Sequence, residues 1–328
     1  MSEKSNIQSD FMGDLKKHEA RLKLWLPALQ DLRNKLGRPL RYFTFPGEKA
    51  YDVIAWKQKG LIEFNERGFP NVCFCEMKPE YFANATRILK NTIGVPAKFE
   101  DVINNRQDSK YKPFWVKFPY DVYNLDFCGT CFESNRPLLN KTFLSIIRLI
   151  NAHISKNGSG KFLLLLTVRI DKNYTNEDFI KNLVKNLESN RKDSDFSLLI
   201  NGLVKDEISN FIEERFCDFI MTGLPKILAS KIRSQTRETS GRIEDLYRAY
   251  YKRRDRENNY DYFIGKFVFL IDKEATSFES SPSWYRNVVV KSLDLVNIMK
   301  INESNISNGT QQDLDELKRE IRDRENYL

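Results

Sequence analysis

The stretch Tyr120-Asp121-Val122-Tyr123-Asn124-Leu125-Asp126-Phe127-Cys128-Gly129 concentrates the groups best suited to chemistry. An apolar and aromatic run gives way to Asn124 and Asp126, then to a ring and a glycine. A short buried strand delivers a carboxylate to the rim of a parallel sheet in this way. Ligands of open α/β sheets bind outside those strand ends, which makes Asp126, Asn124 and Phe127 the candidate catalytic set. A buried strand followed by an ordinary turn is the plainer alternative.

Three further groups could serve a ligand. Phe45-Pro46-Gly47 closes an apolar run and precedes a helical pattern, the geometry that brings backbone N–H groups against a bound molecule. Glu76 ends Val72-Cys73-Phe74-Cys75, where an ionised carboxylate can accept two hydrogen bonds from a ribose diol; it could equally cap the helix opening at Pro79. Residues 226–256 carry Arg248, Lys252, Arg253 and Arg254 among Tyr247, Tyr250 and Tyr251. Cations can track phosphates while tyrosines stack on bases, and a solvated helix face over core tyrosines gives the same pattern.

Metal and triad chemistry find less support. Cys128 and Cys131 form a Cys-x-x-Cys, and Cys73 and Cys75 lie on another strand, but the paired spacing of a zinc site is missing. His18 and His153 stand apart from any serine or cysteine motif, so no nucleophilic triad is expected.

The elements that must position these groups follow in order. Leu15 to Leu36 is an amphipathic helix stopped by Gly37 and Pro39. Strands are expected over 40–45, 72–75, 95–99, 120–126 and 161–171, with helices over 48–59, 79–91 and 140–156 between them. The run Phe162 to Leu166 needs cover on both faces, which places it inside a parallel sheet. Five strand–helix steps specify a doubly wound α/β domain. Beyond it, helices are expected within 176–219 and a strand element over 260–272. Asp313 to Leu328 is a charged helix whose Leu314, Leu317 and Ile321 form one thin stripe suited to docking, to self-association or to a frayed tail. The expected divisions are an N-terminal helical segment (1–39), a main domain (40–300) with a helical insertion around 176–245, and a linker with a C-terminal helix (301–328).

At 328 residues and 41% hydrophobic content, the chain can bury a full core. Lys and Arg exceed Asp and Glu by eight, favouring an anionic partner. No apolar run approaches the ~18 residues of a membrane span, no secretory h-region precedes Lys17, and the odd cysteine count suits a cytoplasmic protein.

The order of these signals resembles the class I S-adenosylmethionine-dependent methyltransferases. Phe45-Pro46-Gly47 stands at the first-strand turn, Glu76 ends the second strand, Asp101 follows the third, and Asn124-Leu125-Asp126-Phe127-Cys128-Gly129 ends the fourth. That last motif is similar to the Asp-Leu-Asp-Pro-Phe-Gly of the tRNA guanine dimethyltransferases, although Phe127 here follows Asp126 directly and the first loop has one glycine. The resemblance covers roughly residues 40 to 171. It implies a Rossmann-like methyltransferase fold, mostly parallel, closed by an antiparallel sixth and seventh strand, with helical N- and C-terminal additions. It also implies S-adenosylmethionine as cofactor. Phe45 and Gly47 would face its methionine part, Glu76 its ribose and Asp101 its adenine. Asp126 would hold the amine being methylated and Phe127 would stack on the target base. The expected activity is methyl transfer to an RNA or DNA base amine. A non-catalytic binding subunit of a larger assembly, such as a bacterial defence complex, and another nucleotide-dependent enzyme are the alternatives. Nucleic acid is the expected partner, with a protein partner or self-association through either terminal helix also possible, and no membrane.

Overall fold

The computed structural model describes residues 14–64, 71–127, 141–156, 160–204, 207–233, 239–255, 258–275 and 283–326. Its sheet has eight strands: β1 (Tyr42–Thr44), β2 (Val72–Cys75), β3 (Ile93–Val95), β4 (Val122–Asp126), β5 (Lys161–Ile170), β6 (Thr239–Asp255), β7 (Tyr260–Ala275) and β8 (Ile298–Lys300). Their order is β3-β2-β1-β4-β5-β7-β6-β8. β1 runs parallel to β2 and β4, β2 runs parallel to β3, and β6 is antiparallel to β7. This is the helix-flanked α/β architecture with a closing antiparallel pair that the sequence led us to expect.

The chain divides into two compact units, residues 1–126 with 162–165 and 301–328, and residues 127–161 with 166–300.

The first unit opens with α1 (Leu15–Ala20), a π-helical stretch Arg21–Trp25, and α2 (Leu26–Leu36). Asp14 caps α1 by accepting from the backbone N–H groups of Lys16 (2.8 Å) and Lys17 (3.1 Å). These hydrogen bonds satisfy donors that a helix start otherwise leaves open. α3 (Tyr51–Gln58) follows β1, α4 (Pro79–Ile88) follows β2, and α5 (Phe99–Asn104) and α6 (Lys112–Lys117) lead into β4. Phe43 of β1 anchors the aromatic core, with ring centroids 4.9 Å from Phe114, 5.8 Å from Tyr120 and 6.4 Å from Phe99. Each such ring contributes about 1.5–3 kcal/mol by leaving water. At the start of β4, buried Asp121 accepts from Arg38 Nη1 (2.6 Å) and Nη2 (3.0 Å) and from the Arg41 backbone (2.7 Å), fixing the strand's depth.

The third strand departs from expectation. It occupies Ile93–Val95, and Phe99 opens α5 instead of ending a strand. A Cβ at Gly94 would stand 2.7 Å from Phe74 Cζ and 2.9 Å from Phe82 Cε2, so the glycine is what lets β3 lie against β2.

α13 (Asn308–Asn326) packs against α1, α3 and α4. Its stripe Leu314, Leu317 and Ile321 is buried, and it is joined by Lys49–Glu325 (2.6 Å) and Lys59–Asp313 (2.5 Å). The stripe therefore docks within its own unit.

The second unit holds α7 (Lys141–Ile154), α8 (Glu177–Lys192), α9 (Ser197–Leu203), α10 (Ile208–Glu214), α11 (Phe216–Arg233) and α12 (Ser283–Leu293). The long β6–β7 hairpin carries a register shift between Ile243 and Asp245, and β8 pairs parallel with β6. α11 and α12 cover β6. Among the described residues, no helix is long and apolar enough to cross a membrane.

Candidate active site

The site is built at the carboxyl ends of β1, β2 and β4. Strand register aligns Thr44 with Phe74 on one side and with Asn124 on the other. Glu76, the residue after β2, and Asp126, the last of β4, therefore stand on either side of the end of β1, which Pro46 follows by two residues. Parallel pairing thus brings together three groups that the sequence separates by up to 80 positions.

Below that level lies a closed polar knot. Asp52 Oδ2, on α3, accepts from Tyr42 OH (3.0 Å), Thr44 Oγ1 (2.8 Å) and Asn124 Nδ2 (2.7 Å). Asn124 Nδ2 also lies 3.1 Å from Thr44 Oγ1, and Trp56 Nε1 donates to Tyr42 OH at 3.1 Å. Burial and the Asp52 charge push the Tyr42 phenol well above its ordinary pKa. Asn124 is fully buried, so its amide ties β4 to β1 and α3. The sequence pattern puts it beside Asp126 on the same strand face but cannot show that Asp52 already engages it.

Asp126 has an unforeseen partner. Lys17 Nζ lies 2.6 Å from Asp126 Oδ2, with the two side chains 2% and 9% exposed. The capped start of α1 sets that lysine's direction. In the sequence it is one of a Lys-Lys pair on a polar helix, which reads as a solvated face. Phe127, half-buried, follows directly.

Between β1 and α3 the chain makes a tight turn in which Ala50 N donates to Pro46 O at 3.1 Å. Gly47 (φ 59°) and Ala50 (φ 49°) both adopt left-handed conformations. The first suits glycine; for an alanine the conformation costs roughly 1–2 kcal/mol, strain that tends to collect where a backbone serves a ligand. Phe45 packs edge-on to Phe99 (5.4 Å) and Phe43 (6.0 Å), one wall beside the turn.

Glu76 Oε1 accepts from the Lys78 N–H at 2.9 Å, and its own N–H donates to Val95 O at 3.2 Å. Burial raises its pKa, against the lowering effect of the Lys78 and Met77 backbone N–H groups. Glu76 thus stands just past the strand end and braces the turn through Lys78 without capping α4, which has no side-chain cap. Asp101 lies in the first turn of α5, six residues past the end of β3, because β3 stops at Val95 and a helix opens at Phe99.

The basic segment is a strand, not a helix face. Arg248 is 3% exposed and donates to four backbone carbonyls, those of Met221 (2.9 Å), Ser292 (2.7 Å), Lys291 (2.5 Å) and Asp294 (2.7 Å). Burial lowers its pKa to about 10. Its expected role as a phosphate contact is thus replaced by a structural one: it joins β6 to α11, α12 and the turn after α12. Lys252 is exposed and paired with Asp261 at 2.6 Å. Arg254, also exposed, donates to Asn259 Oδ1, and Arg253 is half-buried. Of the tyrosines, Tyr247 is exposed and Tyr251 buried.

Cys128 and Cys131 lie outside the described residues. Cys73 and Cys75 are buried free thiols, and burial pushes Cys73 up to about 12. No His, Cys, Asp and Glu cluster suited to a metal occurs among the described residues.

Comparison with known proteins gives three findings. No curated protein matches the chain. A solved structure of the Burkholderia thailandensis 1,6-didemethyltoxoflavin-N1-methyltransferase, with bound 1,6-didemethyltoxoflavin and S-adenosylhomocysteine, aligns at 13% identity and a TM-score of 0.33, covering 83% of this chain and 87% of that one. A family model described as PP_RS20740-like matches residues 16–259, a span that begins just before Lys17 and takes in every strand from β1 to β6. The chain belongs to the PP_RS20740-like family.

Proposed function

We propose that this protein is an S-adenosylmethionine-dependent methyltransferase acting on an amine of a nucleic-acid base. The observation that carries the reading is the placement of Glu76 and Asp126 on either side of the Pro46–Ala50 turn, at the carboxyl edge of the parallel strands. The residues present suit the cofactor. Glu76 is a partly buried carboxylate at the second strand's end, and the turn's left-handed Gly47 leaves no side chain between backbone and ligand.

When bound, S-adenosylmethionine supplies a methyl group activated by the sulfonium. The chain's residues then have positioning to do, which can lower a barrier by ~7–11 kcal/mol where geometry is good. Glu76 orients the ribose, Phe45 and Gly47 border the methionine part, and Asp101 serves the adenine. Asp126, held by Lys17, would orient the acceptor amine and accept the proton that it gives up. Phe127 stacks on the base, while Lys252, Arg253 and Arg254 attract the phosphates. A cytoplasmic location accords with such a substrate.

The Lys17–Asp126 pair also favours a second reading, a non-catalytic nucleic-acid- or protein-binding subunit, because it engages the carboxylate that the reaction needs. Titration calorimetry with S-adenosylhomocysteine and transfer of labelled methyl groups to RNA and DNA separate the two. Methylation expects saturable binding, weakened by Glu76→Ala, and label in nucleic acid that is lost in Asp126→Asn. No heat at millimolar ligand overturns the cofactor reading. Binding without transfer to any substrate leaves the second.

A further inference from the structure

Arg21 is 3% exposed, yet its Nε and Nη1 are buried with no hydrogen-bond partner among the described residues. A guanidinium stays protonated, and a buried charge without a counterion is costly enough that proteins pair it.

The carboxylates on the elements of the same unit named so far have partners of their own. Asp126 pairs with Lys17, Asp52 accepts from three donors, and Asp313 takes His18 at 2.8 Å and Lys59. Glu19 holds Lys23 and Thr310, and Glu325 holds Lys49. Arg21 opens the π-helical stretch Arg21–Trp25, a distortion that often accompanies functional sites. It stands four residues after Lys17, which reaches the end of β4, and its charge is felt at Tyr51, the first residue after the Pro46–Ala50 turn. It therefore stands in the neighbourhood of the Pro46–Ala50 turn, beside which the reading above assigns the methionine part of the cofactor.

We propose that Arg21 is the anchor for the carboxylate of an amino-acid-bearing ligand, which on the methyltransferase reading is the α-carboxylate of S-adenosylmethionine. The inference rests on that reading for the ligand's identity and on the two buried donors without a partner for its charge. A guanidinium is a strong donor to a carboxylate, and a group only 3% exposed suits one small anion rather than a polyanionic backbone.

The test compares two ligands that share adenosine and a thioether. S-adenosylhomocysteine has the carboxylate, whereas 5′-deoxy-5′-methylthioadenosine lacks the amino-acid part. Calorimetry on the full chain is expected to show S-adenosylhomocysteine binding weakened roughly 10- to 100-fold by Arg21→Gln, with the affinity for methylthioadenosine unchanged. Equal weakening of both ligands, or of neither, overturns the assignment while leaving the cofactor reading intact. If the wild-type protein binds neither ligand, the cofactor reading fails and the assignment with it. Should Arg21→Gln not fold, decarboxylated S-adenosylmethionine tests the wild-type chain directly. It is expected to bind at least tenfold more weakly than S-adenosylmethionine, and equal binding overturns the proposal.

Discussion

Lys17 Nζ and Asp126 Oδ2 meet at 2.6 Å with both side chains almost withdrawn from water, which joins α1 to the end of β4. Removing one partner of such a pair leaves the other charged and buried, at a cost of about 3–5 kcal/mol, whereas replacing both with apolar groups can be neutral or stabilising. Lys17→Met and Asp126→Asn are each expected to lower stability by that order in urea unfolding. The double variant Lys17→Met, Asp126→Leu should recover most of the loss. Additive losses would show that the contact contributes little to the fold.

Glu76 should matter more to ligand than to fold. Glu76→Gln retains an oxygen for the Lys78 N–H but presents no charge to a diol, so S-adenosylhomocysteine affinity is expected to fall about tenfold, with melting temperature changed little. Because burial raises the Glu76 pKa, wild-type affinity should decline on acidification at a higher pH than an ordinary glutamate would give. Calorimetry across pH checks both points.

His18 makes the first unit sensitive to acid. Burial, with the Arg21 and Lys59 charges, lowers its pKa from 6.5 to about 4 in spite of its contact with Asp313. The unfolded chain then binds more protons than the folded one between those values, so stability is complete above pH ~6.5 and is lost as pH falls toward ~4. The loss from this group is about 3 kcal/mol. Asp313, whose pKa is lowered by Lys59 and His18 against its own burial, adds to the loss at lower pH. His18→Gln should flatten the slope of unfolding free energy between pH 6.5 and 4.5 in denaturant titrations.

Arg248 and Lys252 should separate by assay. Arg248→Gln deprives several buried carbonyls of their donor, and a loss of roughly 2–4 kcal/mol is expected with little change in RNA or DNA affinity per folded molecule. Lys252→Ala with Arg254→Ala should leave the melt nearly unchanged and weaken nucleic-acid binding, with a shallower dependence on salt. Filter binding at two salt concentrations, beside thermal melts, measures both.

The parallel half of the sheet is legible because apolar runs such as Val72 to Cys75 and Phe162 to Leu166 leave few alternatives to buried strands, with Pro79 after the first and Gly158 and Gly160 before the second. β3 was set too late because Gly94 interrupts its short run while Val95 to Phe99 looks more strand-like. Glu76 and Asp126 could be found from their places at strand ends. Lys17, Asp52 and Arg21 could not, since a charge on an amphipathic helix normally faces water and its burial depends on partners far along the chain. Arg248 was misplaced for the same reason: its sequence neighbours are basic, but its contacts are carbonyls more than 20 residues away.

α13 completes a unit to which α1 belongs, although nearly 300 residues separate them. On a ribosome, residues 127–161 and 166–300 have emerged before Asp313 can reach His18 or Leu317 can cover its side of α1. The usual order of synthesis, in which the leading portion folds first, is therefore reversed here. The leading portion must wait, partly uncovered, until α13 has been made, and a chain cut near residue 300 would leave it without that wall.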